Sequence, residues 1–146
     1  MKIYFGNDHA AFDMRQGILE HLCAAGHEVI DFGWASTDRS DYPDFAHAVA
    51  RAVEADSANG QTAVGVLICG SGVGMSIAAN RHAGIRAALV LDAWTARMCR
   101  AHNNANIICL RAREQALENN LQFLDIFIAE PFEGGRHADR LAKLTC

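Results

Sequence analysis

Short apolar runs alternate along the chain with longer segments whose apolar residues recur every three or four positions. Runs rich in β-branched residues predict buried strands, and the longer spacing predicts amphipathic helices. The predicted strands cover 2–6, 28–32, 63–69, 85–91 and 106–110. The predicted helices cover 12–25, 43–55, 75–80, 93–101, 115–128 and 136–144. This alternation predicts one α/β domain over residues 1–146, a doubly wound sheet of five parallel strands with helices on both faces and a C-terminal helix.

Single residues mark several predicted boundaries. Gly26 follows the first helix and is suited to end it. Pro43 suits the first turn of the second helix, and Asp92 can cap the helix that starts at the next residue. Cys23, Cys99 and Cys109 lie on apolar faces of the predicted elements, so we expect them in the core.

The segment 63–76, AVGVLICGSGVGMS, joins an apolar run to helix-compatible residues through three alternating glycines. A strand, a glycine turn and a helix direct backbone N–H groups outward from the C-terminal edge of a sheet. There they can bind a phosphate or the oxyanion of a reaction intermediate. Cys69 ends the strand and Ser71 follows two residues later, so a thiol and a hydroxyl stand beside this turn. A buried structural cysteine is the alternative interpretation.

The residues of this loop do not match three common phosphate-binding motifs. A dinucleotide fingerprint fails in both registers, because Met75 or Ile77 stands where the third glycine is required. A P-loop requires Gly-Lys-Ser/Thr, and the loop contains no lysine. A cysteine-dependent phosphatase requires an arginine six residues after the cysteine, and Met75 occupies that position.

Composition narrows the functional classes. The chain has 146 residues, of which 51% are hydrophobic and 21% charged, as in a globular domain. Its net charge of −4 indicates neither a nucleic-acid partner nor a membrane partner, and no apolar run reaches transmembrane length. The N-terminus lacks a signal-peptide pattern, and the five cysteines form no C-x-x-C pair. We therefore expect reduced thiols and a cytoplasmic protein.

Six short blocks, spread in order over essentially the whole chain, resemble those of a known family. They are NDH at 7–9, DYP at 41–43, CGSGVG at 69–74, GIRA at 84–87, HN at 102–103 and EGGRH at 133–137. Together they resemble the ribose 5-phosphate isomerase B family, which includes the subunits of galactose 6-phosphate isomerase. The resemblance implies a Rossmann-like fold and an aldose–ketose isomerase that needs no metal or cofactor. It also implies a homodimer or homotetramer whose site lies between two subunits.

The resemblance assigns catalytic roles to four residues. Cys69 would be the base that moves a proton between C1 and C2 of a phosphorylated sugar, and Ser71 would pass a proton between O1 and O2. His102, with Asp8 as its partner, would open the sugar ring. Another branch of the family has a glutamate base where this chain has Met75, which cannot accept a proton.

The resemblance also implies a set of substrate contacts. The amides of the glycine loop and the side chain of Asn103 would hold the enediolate oxygen, and Tyr42 would lie against the sugar. Cationic and imidazole groups would hold the phosphate, and two of them are four residues apart on one helix face. The predicted substrate-binding residues are His9, Tyr42, Gly70, Gly72, Val73, Gly74, Asn103, Arg113, Arg136 and Arg140.

The substrate and the functional class stay open at this point. D-ribose 5-phosphate is favoured, and a tetrose 4-phosphate or an allose- or galactose-type hexose 6-phosphate is the alternative. A non-catalytic sugar-phosphate or nucleotide sensor and an obligate subunit of a two-chain enzyme are the other hypotheses. The thiol and the arginines occur in one chain, which favours a homo-oligomeric enzyme. The sequence does not decide whether Trp94 or Arg111 faces the site.

Overall fold

In the computed structural model, which describes residues 1–144, all five strands run parallel in one sheet. The strands are β1 Lys2–Asn7, β2 Glu28–Asp31, β3 Ala63–Cys69, β4 Ala87–Leu89 and β5 Ile107–Arg111. The helices are α1 Phe12–Ala24, α2 Tyr42–Ala58, α3 Val73–Ala79, α4 Ala93–Ala101, α5 Leu117–Ala129 and α6 Arg136–Leu141. A single 3₁₀ turn, His9–Ala11, connects β1 to α1.

Two hydrophobic cores lie on opposite faces of the sheet, as the prediction of a doubly wound sheet requires. Helices α1, α4 and α5 cover one face, and α2 and α3 cover the other. The central strand β3 is buried on both sides, so its side chains alternate between the cores. Ile68 points into the first core, whereas Leu67 and Cys69 point toward α2 and α3.

The strand order β2-β1-β3-β5-β4 positions the candidate site. After β1 the chain adds β2 on one side, and β3 then pairs with β1 on the other. The carboxyl ends of β1 and β3 therefore form a topological switch point, where open α/β sheets bind ligands. Asn7 lies opposite Ile68 in this register, so Asp8 and Cys69 come to the same edge.

Several predicted boundaries shift. Helix α3 begins at Val73 rather than at residue 75, because Gly72 adopts a left-handed conformation (φ +76°) as its N-cap. Strand β4 is shorter than predicted, and α6 ends at Leu141. Asp92 caps α4 as predicted, with its side chain accepting the N–H of Thr95 at 2.7 Å.

The exposure of the cysteines differs from the prediction at one position. Cys23 is exposed, so its predicted place in the core is wrong, whereas Cys99 and Cys109 are buried. Cys23 is the next-to-last residue of α1, where the face that packs on the sheet gives way to solvent.

Within residues 1–144, no helix combines the length and the apolar character needed to span a bilayer.

Candidate active site

A cavity of about 510 Å³ opens at the carboxyl ends of β1, β3 and β5. Its wall contains most of the residues that were predicted to act in catalysis or to bind the substrate. These are Asp8, His9, Tyr42, Cys69, Gly70, Ser71, Val73, Gly74 and Arg113. The site therefore lies at the switch point that the strand order predicts.

Cys69 is 5% exposed, and the backbone N–H of Gly72 donates to its Sγ at 3.2 Å. An N–H directed at sulfur stabilises the thiolate, which is the form that accepts a proton. Gly72 is required at this point of the turn. A Cβ there would lie 2.6 Å from Cδ1 of Leu89 and 2.9 Å from the carbonyl oxygen of Leu110.

The rest of the glycine loop presents polar groups to the cavity. Ser71 is exposed, and its Oγ accepts the N–H of Val73 at 3.3 Å. The ring of Tyr42 covers Gly74 so closely that a Cβ on that glycine would lie 2.6 Å from the ring. Met75 is fully buried between α2 and α3, so the position of the alternative family base faces the core instead of the cavity.

Asp8 is 6% exposed and caps the 3₁₀ turn, with Oδ1 accepting the N–H of Ala10 at 3.0 Å. Its own N–H donates to the carbonyl of Ile68 at 3.3 Å, which ties it to β3. Burial raises the pKa of the Asp8 carboxyl above its ordinary value, against hydrogen bonding to Ala10 and the nearby positive charge of Arg113.

The orientation of His9 depends on Ser40, which sequence analysis missed. The N–H of Ser40 donates to Nδ1 of His9 at 3.2 Å, and the N–H of His9 donates to Oγ of Ser40 at 3.0 Å. Because a backbone N–H can only donate, Nδ1 is an acceptor and the neutral ring carries its proton on Nε2. His9 can therefore offer an Nε2–H donor to a ligand. Nothing local in the segment around Ser40 signals this contact, which spans 31 positions.

Two arginines from the end of β5 reach the cavity wall. The backbone N–H of Arg113 donates to the carbonyl of Gly70 at 3.1 Å, and a Cβ on Gly70 would lie 3.3 Å from Nε of Arg113. Arg111 pairs with Cys69 in the sheet register, and its Nε donates to Oε1 of Gln115 at 3.2 Å. Trp94 is 71% exposed and is not part of this wall.

Four predicted residues lie in another part of the structure, away from the Cys69 cavity. His102, Asn103 and Arg140 line a separate cavity of about 250 Å³ with His137, and Arg136 is exposed in the first turn of α6. Asp8 and His102 line different cavities, so their predicted pairing is not formed within one chain. The sequence order of the motifs could not reveal this separation.

A cluster of two histidines and a glutamate lies at this second cavity. Ligand atoms of His102, Glu133 and His137 are within 4.8 Å of one another, so their types would suit a metal ion. The two imidazoles, however, are stacked with centroids 4.2 Å apart and planes inclined by 5°. Parallel stacked rings direct their in-plane lone pairs side by side, whereas metal ligands must converge on one point.

The three arginines assigned to the phosphate are available for an anion. Arg113, Arg136 and Arg140 are all exposed, and within residues 1–144 none of them forms an ion pair. Arg113 belongs to the Cys69 cavity and Arg140 to the His102 cavity. The cationic groups are thus divided between the two cavities in the same way as the catalytic candidates.

Comparisons with known proteins identify the family. A profile of the ribose/galactose isomerase family matches residues 3–144. The chain is 43% identical over 144 residues to ribose-5-phosphate isomerase B of Escherichia coli, which covers 99% of this chain and 94% of that protein. The fold matches a Clostridium thermocellum ribose-5-phosphate isomerase B with a TM-score of 0.92, 43% identity, and coverage of 99% and 95%. The fold also matches ribose-5-phosphate isomerase B of Mycoplasma genitalium, solved with bound ribulose 5-phosphate. The TM-score is 0.92 at 40% identity, and the match covers 98% of this chain and 93% of that chain. The chain therefore belongs to the ribose/galactose isomerase family.

Proposed function

We propose that this chain is an aldose–ketose isomerase that converts D-ribose 5-phosphate to D-ribulose 5-phosphate through a cis-enediolate. The observation that carries the proposal is the contact between Gly72 N–H and Cys69 Sγ at the wall of the switch-point cavity. It places a hydrogen-bond donor at the sulfur of the proposed base, in the same turn as the amides proposed to hold the enediolate oxygen. The ligand in the Mycoplasma genitalium relative supports the choice of sugar.

In the proposed reaction Cys69 removes the proton from C2 of the open-chain aldose and returns it to C1. Ser71, at the same wall, passes the hydroxyl proton between O1 and O2. The negative charge of the enediolate develops beside the amides of the glycine loop, which are already in place before the reaction. Because side chains account for each proton transfer, we expect activity to persist after dialysis against EDTA.

The phosphate would bind where donors and positive charge meet. Arg113 brings a guanidinium and His9 an Nε2–H group to the cavity that contains Cys69. A guanidinium binds a phosphate through two parallel hydrogen bonds, which fixes the orientation of the group as well as its position. Arg136 and Arg140 would complete this phosphate site from α6.

The separation of the two cavities supports a site formed by two copies of the chain. One cavity has the base without His102 and Asn103, and the other has these residues without the base. Val73 and Leu91 line the Cys69 cavity although they are 45% and 41% exposed, and Ile77 and Trp94 nearby in sequence are 53% and 71% exposed. Exposed apolar side chains at the wall of a cavity are typical of a surface that another chain covers. A homodimer or homotetramer would bring His102, Asn103, Arg136 and Arg140 of a second copy to Cys69.

A cytoplasmic location is part of the proposal. The four cysteines in residues 1–144 are free thiols, as is usual in a reducing compartment. Cys146 lies outside the described residues.

Turnover by the purified chain tests the proposed reaction. The ratio kcat/KM should be highest for D-ribose 5-phosphate among tetrose 4-, pentose 5- and hexose 6-phosphates. A preference of more than about a hundredfold for another sugar would contradict the substrate assignment. Binding without turnover would indicate a sensor, and turnover that requires an unlike chain would indicate an obligate subunit.

Mixing two inactive variants tests the shared site. Cys69→Ala and His102→Gln should each abolish turnover, but a mixed dimer retains one site with both wild-type residues. Random exchange makes half the dimers mixed, and one of their two sites is intact, so activity should return to about a quarter of wild type. Cys69→Ala mixed with Ser71→Ala is the control, because both residues lie on the same loop. No recovery in the first mixture would contradict a site formed between two copies.

A further inference from the structure

We propose that His137 and Glu133 position His102 for ring opening, with the stacked imidazoles of His102 and His137 holding no more than one proton beside the Glu133 carboxylate. The inference rests on the proposed isomerase function, which gives neither His137 nor Glu133 a role. Both would be positioning residues, because they act through His102.

The local fold places these three side chains together. The backbone N–H of Glu133 donates to the carbonyl of Ala101 at 3.0 Å, which fixes the loop before α6 against the end of α4. Gly134 and Gly135 have φ angles of +68° and +54°, and the N–H of His137 donates to the carbonyl of Gly134 at 3.0 Å. This glycine turn brings the first turn of α6 alongside His102, the residue that caps α4.

The two rings of the stack have different surroundings. His137 is 5% exposed, and its buried Nε2 has no hydrogen-bond partner. His102 keeps 37% of its side chain exposed at the second cavity. The centroid distance of 4.2 Å and the inclination of 5° mean that the His137 ring supports one face of the His102 ring. The accessible ring can thus meet a ligand while the buried ring restricts its tilt.

The charges around the pair differ for the two histidines. Burial lowers the pKa of His137, and the neighbouring His102, Arg136 and Arg140 lower it further against the opposing effect of Glu133. Oε2 of Glu133 lies 3.5 Å from Nε2 of His137 and 3.8 Å from Nε2 of His102. A second proton on stacked rings would place two like charges about 4 Å apart, which is unfavourable. A proton that His102 accepts from a ligand therefore stays on His102 and is not passed to His137.

This arrangement suits ring opening of an aldose phosphate. Neutral His102 removes the proton of the O1 hydroxyl, the bond between C1 and the ring oxygen breaks, and C1 becomes the aldehyde carbon. Protonated His102 then gives the same proton to the ring oxygen, so no net proton is gained or lost. Glu133 stabilises the transient imidazolium, and His137 keeps the imidazole plane where one ring can serve both oxygens.

Substitution of Glu133 tests the charge in this proposal. Glu133→Gln should lower kcat about tenfold, because the imidazolium loses its counter-charge. The acid limb of its pH–rate profile should move to lower pH, because loss of the Glu133 charge 3.8 Å from Nε2 of His102 disfavours the imidazolium. Glu130→Gln is the matched control. Glu130 lies three residues before Glu133 and pairs with Arg97 at 3.2 Å instead of with the two histidines. The control should keep the wild-type kcat and pH profile.

Substitution of His137 tests the stack. His137→Ala should lower kcat by a similar factor, and His137→Phe should restore most of it, because a neutral planar ring is sufficient. The inhibition constant of inorganic phosphate should stay near wild type in both variants, which separates this effect from damage to Arg136 and Arg140. If His137→Ala does not fold, Glu133→Gln alone still tests the pair.

Isotope exchange separates this inference from the proposed function. D-ribulose 5-phosphate is open-chain because its C5 oxygen carries the phosphate, so incorporation of deuterium from D₂O at C1 reports the Cys69 step alone. We expect exchange to persist in Glu133→Gln and His137→Ala while conversion to ribose 5-phosphate slows. Wild-type conversion rates and pH profiles in these variants would overturn the inference. A wild-type protein that neither exchanges nor converts would refute the isomerase itself.

Discussion

The backbone N–H of Gly72 lies 3.2 Å from Sγ of Cys69, so the last residue of β3 is joined to the turn that starts α3. The side chain proposed as the base and the amides proposed to hold the enediolate oxygen thus belong to one short segment. Because the sheet and α3 hold both ends of this segment, the arrangement exists before substrate binds. Such preorganisation is the main source of transition-state stabilisation in reactions that develop an oxyanion.

Replacement of the thiol is the first prediction. Cys69→Ala should lower kcat by about a hundredfold or more, because no other side chain on the loop can act as the general base. Substrate affinity, measured by titration calorimetry with D-ribose 5-phosphate, should change little because the proposed phosphate contacts come from other side chains. Cys23→Ala, which removes an exposed thiol from α1, should have wild-type kinetics. A near-normal kcat in Cys69→Ala would remove the thiol from the mechanism.

The arginines give the second prediction. Arg113→Ala, Arg136→Ala and Arg140→Ala should each raise KM by about tenfold or more, since each removes a charged hydrogen bond of the proposed phosphate site. Inorganic phosphate should compete with substrate in the wild type and bind more weakly to each variant. Arg51→Ala, on an exposed position of α2, is the control for the loss of one positive charge. Unchanged kinetics in the three variants would assign these arginines to the solvated surface.

The buried carboxyl of Asp8 links stability to pH. Its pKa is raised in the folded protein, so the native state binds more protons than the unfolded state once pH exceeds the ordinary carboxyl value. Stability therefore falls as pH rises through the interval between the two values, and the loss is complete above the folded value. Asp8→Asn keeps an oxygen for the N–H of Ala10 and avoids this loss.

We expect the melting temperature of Asp8→Asn to exceed that of wild type at pH 7, and the difference to shrink as pH falls below the ordinary carboxyl range. The variant should lose activity, because an amide cannot replace the carboxylate that faces the cavity. Asp38→Asn, in an exposed loop, controls for the change in net charge. A wild-type protein that is the more stable of the two at pH 7 would contradict the effect of burial.

The sequence was sufficient to predict the features that short segments determine. The burial of β3, the turn after Cys69 and the cap at Asp92 each follow from neighbouring residues, and the structure confirms them. The alternation of strands and helices was sufficient to predict the doubly wound sheet, because parallel strands require crossover connections.

Features that depend on distant contacts could not be predicted. The order that places β5 between β3 and β4 depends on pairing across the sheet, which no local pattern encodes. The tautomer of His9 depends on a contact with Ser40. The stacking of His102 on His137 depends on a loop that is fixed to the end of α4. The division of the site into two cavities was hidden for the same reason, since motifs in sequence order carry no distances.

The final prediction separates backbone strain from steric conflict at the turn beside Cys69. Gly72 and Gly60 have similar φ angles of +76° and +71°. A Cβ at Gly60 would meet nothing within 4 Å, whereas one at Gly72 would lie 2.6 Å from Leu89 and 2.9 Å from the backbone oxygen of Leu110. Alanine at either position should cost about 1 kcal/mol of unfolding free energy through the left-handed backbone.

Gly72→Ala should cost a further ~1–3 kcal/mol through overpacking against β4 and β5, and Gly60→Ala should not. Urea unfolding of both variants measures this difference. Relief of the contact would move the Gly72 amide away from Cys69, so kcat should fall in Gly72→Ala and stay at the wild-type value in Gly60→Ala. Equal destabilisation of the two variants, with kcat unchanged in both, would mean that the turn relaxes without disturbing the thiol. That outcome would contradict the predicted steric conflict at Gly72.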